Sequence, residues 1–185
     1  AFLLMPHGSD ILLVPNKSFI HKMITRYIIN KSDIITCDAK AVKKRIIDIS
    51  HYDREIVIFP WGVDLDIFSP SVKSEIRKEL GFEKNTVFIC NRAHYPLYGI
   101  EYILIATAIL SKINPEIRLM LLGYVPRSGN SSTEKYKYLI KKYNLDDFVE
   151  MLPPVPNNLM SEYLNSADIY LSASLSDGTS VSLLE

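Results

Sequence analysis

Cysteine is scarce in this sequence: its 185 residues hold two, Cys37 and Cys90, far apart and each inside an apolar run. This spacing argues against a disulfide framework or a cysteine metal clip and for two buried thiols of a reducing compartment. Net charge is also missing. Lys plus Arg and Asp plus Glu each number 21, so no whole-molecule field draws in nucleic acid or anionic lipid, and any basic recognition has to be local. The amino terminus, Ala1-Phe2-Leu3-Leu4-Met5, lacks an initiator Met, a basic region and a small-residue cleavage site, and Pro6-His7-Gly8 arrives too early for a signal peptide. It reads as a strand entered midway. The carboxyl terminus, Val181 to Glu185, reads as the first turn of an apolar helix with no exit signal, so an internal piece of a longer protein is expected. What is present is a chain 48% hydrophobic, 23% charged and 10% aromatic, the profile of a folded soluble protein rather than a disordered, fibrous or membrane-spanning one.

Short apolar runs of strand length lie at 34–37, 56–59, 86–91, 117–122, 149–152 and 168–172. Stretches with helical spacing fall between most of them, at 19–29, 39–49, 99–112, 133–143 and 157–165. This β-α-β-α order predicts an α/β fold with parallel sheets covered by helices on both faces. The helix over 19–29 is amphipathic and expected to face mostly into a core. Lys40, Lys43, Lys44 and Arg45 form a basic helix face, read as solvated surface, with contact to anionic lipid as the alternative. Gly129-Asn130-Ser131-Ser132 is expected to be a flexible loop before a helix. One segment breaks the alternation. Pro60-Trp61-Gly62-Val63-Asp64-Leu65-Asp66-Ile67-Phe68-Ser69-Pro70 leaves a strand without helical period, either as an interdomain connection or as an ordinary loop around a buried Trp. A boundary near residue 64 follows from the first reading, with the second sheet beginning at Thr86.

Ligands of doubly wound sheets lie beyond the carboxyl ends of the strands, so polar residues at strand exits are the candidates. Four clusters stand there: His7-Gly8-Ser9-Asp10, Asn91-Arg92-Ala93-His94, Gly123-Tyr124 and 174–180. In the last, Asp177 and Glu185 are eight positions apart, bridged by Gly178-Thr179-Ser180 and an apolar helix start. Free amides at a helix start suit a phosphate or sugar oxygen, and carboxylates accept hydrogen bonds from sugar or ribose hydroxyls. The plainer alternative is that Ser176 or Asp177 caps the helix and Glu185 is a solvated charge.

These residues carry a resemblance. Asp177 to Glu185 resembles the acid-x7-acid motif of glycosyltransferase family 4, with Asp in place of the more frequent first Glu. Residues 167–174 resemble the strand leading into it, and 58–68 resemble the family's interdomain segment, with Trp61 where Asn is frequent. Asn91-Arg92, followed by Gly99-Ile100, resembles the segment with a donor-binding Arg, and His7 to Asp10 is similar to a loop of the family's N-terminal domain. The similarity runs through nearly the whole chain in order.

The resemblance implies a GT-B architecture cut at both ends. Residues 1–63 would be the C-terminal portion of an acceptor-side Rossmann-like domain, and 64–185 the N-terminal portion of the nucleotide-sugar donor domain. It implies a retaining hexosyl transfer from a UDP-, GDP- or ADP-sugar to a hydroxyl of a glycan, lipid-linked or small-molecule acceptor, by a chain inactive alone. His7, Arg92 and Asp177 would be catalytic. Arg92 would pair with the donor diphosphate, Asp177 would hold hydroxyls of the transferred sugar, and Glu185 the ribose. The amides of Gly178, Thr179 and Ser180 would support sugar and phosphates, and His7 would face the donor sugar. Gly123 and the strand end at 150–153 would face the base. No cofactor, metal or nucleic acid is implied; Asp64-Leu65-Asp66 sits in the interdomain segment, away from any metal-binding loop. The location implied is cytoplasmic, with peripheral contact at the inner face of the membrane as a weaker alternative.

One departure stands out. Many members place a Lys before the Gly that opens the following helix, and here Gly99 is preceded by Tyr98, which would be a donor-binding residue whose hydroxyl can donate a hydrogen bond but carries no positive charge. Losing a charge-assisted phosphate contact would cost on the order of a few kcal/mol unless another cation substitutes, and His94 is one candidate to assist. Two alternatives follow from that departure or from the architecture: a noncatalytic nucleotide-sugar-binding or regulatory module, and a GT-B nucleotide-sugar epimerase.

Overall fold

The computed structural model describes residues 1–123 and 131–185. Tyr124 of the third strand-exit cluster, and Gly129 and Asn130 of the expected loop, therefore lie outside the described residues. The chain divides into two compact units, one of residues 1–63 with 176–184, the other of residues 64–175 with Glu185. The sequence reading assigns all of 64–185 to the second domain. Residues 176–184 group with the first unit, where Thr179 hydrogen-bonds to Asp38 and Gly178 packs against Gly8.

In the first unit β1 (Leu3–Leu4), β2 (Ile34–Cys37) and β3 (Ile56–Ile58) form a parallel sheet in that order. Short α1 (Ser9–Leu12), α2 (Phe19–Lys31) and α3 (Lys40–Ser50) connect them. Ser18 caps α2 by accepting from the His21 amide, and α3 stops where His51 turns left-handed at φ 56°. Sequential strand order with right-handed crossovers places both connecting helices on one face. Accordingly Ile35, Cys37 and Ile56 pack with Ile11, Ile29, Val42 and Ile46 in one core, whereas Leu3, Ile34 and Val57 on the opposite side are exposed. The expected cover on both faces is met on one face of this sheet; among the described residues no helix packs on the other. The expectation for α2 also needs correction: Thr25 and Ile29 are buried, but Phe19, Ile20, Met23, Ile24 and Tyr27 are more than half exposed, since α2 packs on α3 and the 3-10 turn Val14–Asn16 from one side only. On α3, Lys43 donates to the Ile56 carbonyl and Arg45 to Asn16, which ties two of its four cations into the fold.

The second unit holds α4 (Ile76–Glu79), β4 (Thr86–Cys90), α5 (Ile100–Leu110), β5 (Ile117–Leu122), α6 (Thr133–Lys142), β6 (Val149–Leu152), α7 (Asn157–Asn165) and β7 (Ile169–Tyr170). Its sheet is parallel throughout, in the order β6-β5-β4-β7. The chain runs outward from β4 to β6 and then returns to the far side of β4, so α5 and α6 cover one face and α7 the other. Alternating side chains obey this. Cys90, Leu119 and Leu121 pack with Leu104, Tyr136 and Ile140, while Val87, Ile89, Met120 and Leu122 pack with Phe82, Met160 and Tyr163. Here both faces are covered. Arg77 joins α4 to the start of β7 through a two-point ion pair with Asp168, whose carboxylate also accepts from the Val87 amide; that amide, then Arg77, holds its pKa below the usual value.

Candidate functional site

The strand order of the second sheet reverses at β4, which has β5 on one side and β7 on the other. A doubly wound sheet opens a crevice at such a point, beyond the carboxyl ends of the two strands. The loop leaving β4 carries Asn91, Arg92 and His94, and the stretch leaving β7 runs beside it: Tyr170 donates its hydroxyl to Asn91 at 3.0 Å, and the Leu175 amide donates to the Leu97 carbonyl at 2.8 Å.

Arg92 is half-buried, and its guanidinium carbon lies 4.2 Å from the centroid of the Tyr98 ring. A Lys at position 98 would set a second cation against that guanidinium, whereas Tyr offers it a π-face, worth roughly 0.5–2 kcal/mol. Gly99, at φ +61°, opens α5; a Cβ there would stand 2.2 Å from the Ala173 carbonyl oxygen. The exits of β4 and β7 therefore meet at a backbone contact that admits no side chain. Gly123 ends β5 by donating its amide to the Leu152 carbonyl at 2.7 Å, with the His94 ring beside it. His94 is fully buried; Nδ1 meets the Thr133 hydroxyl at 2.8 Å, Nε2 has no partner, and burial pushes its pKa below the usual 6.5.

In the first unit, His7 follows β1 and is exposed, with its ring centroid 4.9 Å from that of Trp61. Asp10 accepts from the His7 and Ile11 amides and fixes the turn between them. The Trp61 indole donates to Asp38 at 3.3 Å, and Asp38 accepts both the amide and the hydroxyl of Thr179, at 2.7 Å each. The predicted site residues thus form two groups. His7, Asp177, Gly178, Thr179 and Ser180 belong to the first unit, and Arg92, Tyr98, Gly123 and Glu185 to the second. Glu185 lines a cavity of about 210 Å³ with Phe68, Ser69, Ser161 and Asn165, where burial raises its pKa; no other predicted residue lines that cavity. Asp64 accepts the Asp66 amide at 3.0 Å, so this pair shapes a turn. Among the described residues no three His, Cys, Asp or Glu side chains gather as a metal site, and no helix is long and apolar enough to cross a membrane.

Residues 72–185, which contain all of this sheet and the Asp177–Glu185 segment, match the family model described as "Glycosyl transferases group 1". The chain belongs to that family. D-inositol 3-phosphate glycosyltransferase of Pseudarthrobacter chlorophenolicus is 31% identical over 143 residues, covering 74% of this chain and 33% of that protein. The enzyme of that name from Kineococcus radiotolerans is 26% identical over 149 residues, covering 77% and 34%. The chain spans about a third of the length of these curated group 1 relatives. Among solved structures, HepE of Anabaena in complex with UDP and glucose matches with a TM-score of 0.76 at 19% identity, over 93% of this chain and 46% of that one. Sucrose-phosphate synthase of Thermosynechococcus elongatus matches at 0.78 and 18% identity, over 97% and 46%. These neighbours share the GT-B glycosyltransferase fold.

One further residue of this group 1 chain stands at a strand exit. Asp38 follows β2 as the other candidates follow their strands, so the strand-exit rule points to it equally. A single Asp between Cys37 and Ala39 forms no cluster, so the sequence alone does not single it out.

Proposed function

We propose that this chain supplies the donor-binding machinery of a retaining, metal-independent glycosyltransferase of family 4, which moves a sugar from a nucleoside diphosphate sugar to a hydroxyl acceptor. The observation that carries the reading is Arg92, a permanently charged guanidinium set against the Tyr98 ring at the β4–β7 reversal, where a diphosphate needs a fixed cation. Arg92 pairs with the diphosphate and stabilises the charge that develops as the sugar leaves. The departing phosphate takes the proton of the acceptor hydroxyl from the same face of the sugar, so the anomeric configuration is retained without a covalent carboxylate intermediate. Asp177 accepts hydrogen bonds from hydroxyls of the transferred sugar, Glu185 from the ribose, and His7 faces the sugar. Gly123 borders the base. No cofactor beyond the donor substrate is required. A cytoplasmic site of action agrees with two free, buried thiols, Cys90 being pushed up to about 11.

HepE of Anabaena, a neighbour in fold solved in complex with UDP and with UDP-glucose, supports the donor class. The test is to offer the full-length protein a panel of UDP-, GDP- and ADP-sugars with and without hydroxyl acceptors. Transfer, or slow donor hydrolysis, with one donor is expected. Nucleotide binding without either would instead establish the noncatalytic module that the missing Lys before Gly99 favours.

A further inference from the structure

Asp38 stands at the carboxyl end of β2 with 6% of its surface exposed. Its Oδ2 accepts the Thr179 amide at 2.7 Å and the Trp61 indole N–H at 3.3 Å, and its backbone carbonyl accepts the Thr179 hydroxyl at 2.7 Å. The second carboxylate oxygen, Oδ1, is buried and has no partner. Gly178 lies directly on this carboxylate: a Cβ there would fall 2.2 Å from Oδ2 and 2.6 Å from Oδ1. From the opposite side, a Cβ on Gly8 would fall 2.9 Å from the Gly178 nitrogen. The start of the Asp177–Glu185 motif is therefore seated between the Gly8 backbone and the Asp38 carboxylate with no room for a methyl group.

This geometry changes the role of one predicted ligand. The amides of residues 178–180 were expected to serve sugar and phosphate oxygens, yet the Thr179 N–H already meets a carboxylate, an acceptor that forms hydrogen bonds about twice as strong as a neutral one. We propose that Asp38 is a positioning residue for the donor: it holds Thr179 by amide and hydroxyl together, and so sets the turn that presents Asp177 and its neighbours to the transferred sugar. The proposal rests on the glycosyltransferase reading for its ligand, but the clamp itself is independent of that reading.

The test uses the full-length protein and the variants Asp38→Ala, Asp38→Asn and Thr179→Val. Hydrogen exchange without ligand reads the clamp. Asp38→Ala should speed exchange across residues 176–184 by about tenfold or more, the equivalent of one lost hydrogen bond of ~1.4 kcal/mol. Peptides from β2 and α3 should stay unchanged, and Asn, which keeps an acceptor oxygen for the Thr179 amide, should restore most of the protection. Thr179→Val, which removes only the hydroxyl bond, should lie between wild type and Asp38→Ala. Steady-state kinetics with the donor sugar read the function: KM for the donor should rise several-fold in Asp38→Ala and recover in Asp38→Asn. Unchanged exchange over 176–184 in Asp38→Ala overturns the proposal, as does faster exchange with an unaltered or lower donor KM, the latter meaning that Asp38 competes with the donor for the amide. If the wild type uses no donor, the glycosyltransferase reading fails and the donor role of Asp38 is overturned with it, while the exchange result still decides whether the clamp exists.

Discussion

Gly99→Ala isolates the contact that joins the two strand exits around Arg92. Two costs add. Gly99 sits at φ +61°, ψ 23°, where an L-residue loses roughly 1–2 kcal/mol to its own carbonyl. The new Cβ would also lie 2.2 Å from the Ala173 oxygen and 3.1 Å from its carbon, so backbone rather than a flexible side chain has to move, at about 1–3 kcal/mol. The expected loss is thus ~2–5 kcal/mol. Gly81 provides the control: its φ is +70°, but nothing lies within 4 Å of a Cβ there, so Gly81→Ala should show the backbone cost alone. Equilibrium urea unfolding of the two variants, with midpoint and slope both fitted, gives the difference directly. A Gly99→Ala variant no less stable than Gly81→Ala would refute the close approach of the β7 exit to the start of α5.

Two further outcomes follow from the same unit. His94 has its folded pKa lowered by burial, so its contribution is fully present above the unfolded value of 6.5 and is lost as pH falls from there toward the folded pKa, where only the unfolded chain binds the proton. The thermal midpoint of the wild type should therefore drop between pH 7 and pH 5 more steeply than that of His94→Gln; parallel curves would remove His94 as the source. Tyr98→Ala should raise donor KM about twofold to thirtyfold by releasing the guanidinium, and Tyr98→Phe, which keeps the ring face, should lose less. If Phe and Ala are equally impaired, the hydroxyl rather than the ring is what Tyr98 contributes.

Much of this architecture was legible as pattern. The apolar runs at 34–37, 117–122 and 149–152 coincide with strands, and the helix at 157–165 falls where its spacing put it. Elements of barely one turn, α1 and α4, carry no readable repeat. The cover of each sheet was not legible either, because it depends on strand order: Ile34 and Val57 read like core residues but lie on the face that sequential crossovers leave bare. Of the candidate site, Arg92 and Gly178 were visible as strand-exit residues, and Gly99 through the family resemblance. What stacks on Arg92 and what seats Gly178 were not, since Tyr98 read as a missing charge and Asp38 acts from 141 positions away.

The account turns on Arg92 as the cation for the donor diphosphate. Steady-state kinetics of the full-length protein and Arg92→Ala, with whichever UDP-, GDP- or ADP-sugar the wild type turns over, test this most directly. Removing one charge-stabilising donor is worth ~2.7–4 kcal/mol, so kcat/KM should fall about 10²–10³-fold, while the fold is kept and loses no more than the ~0.5–2 kcal/mol of the Tyr98 stack. Arg92→Ala with the activity of the wild type would contradict it.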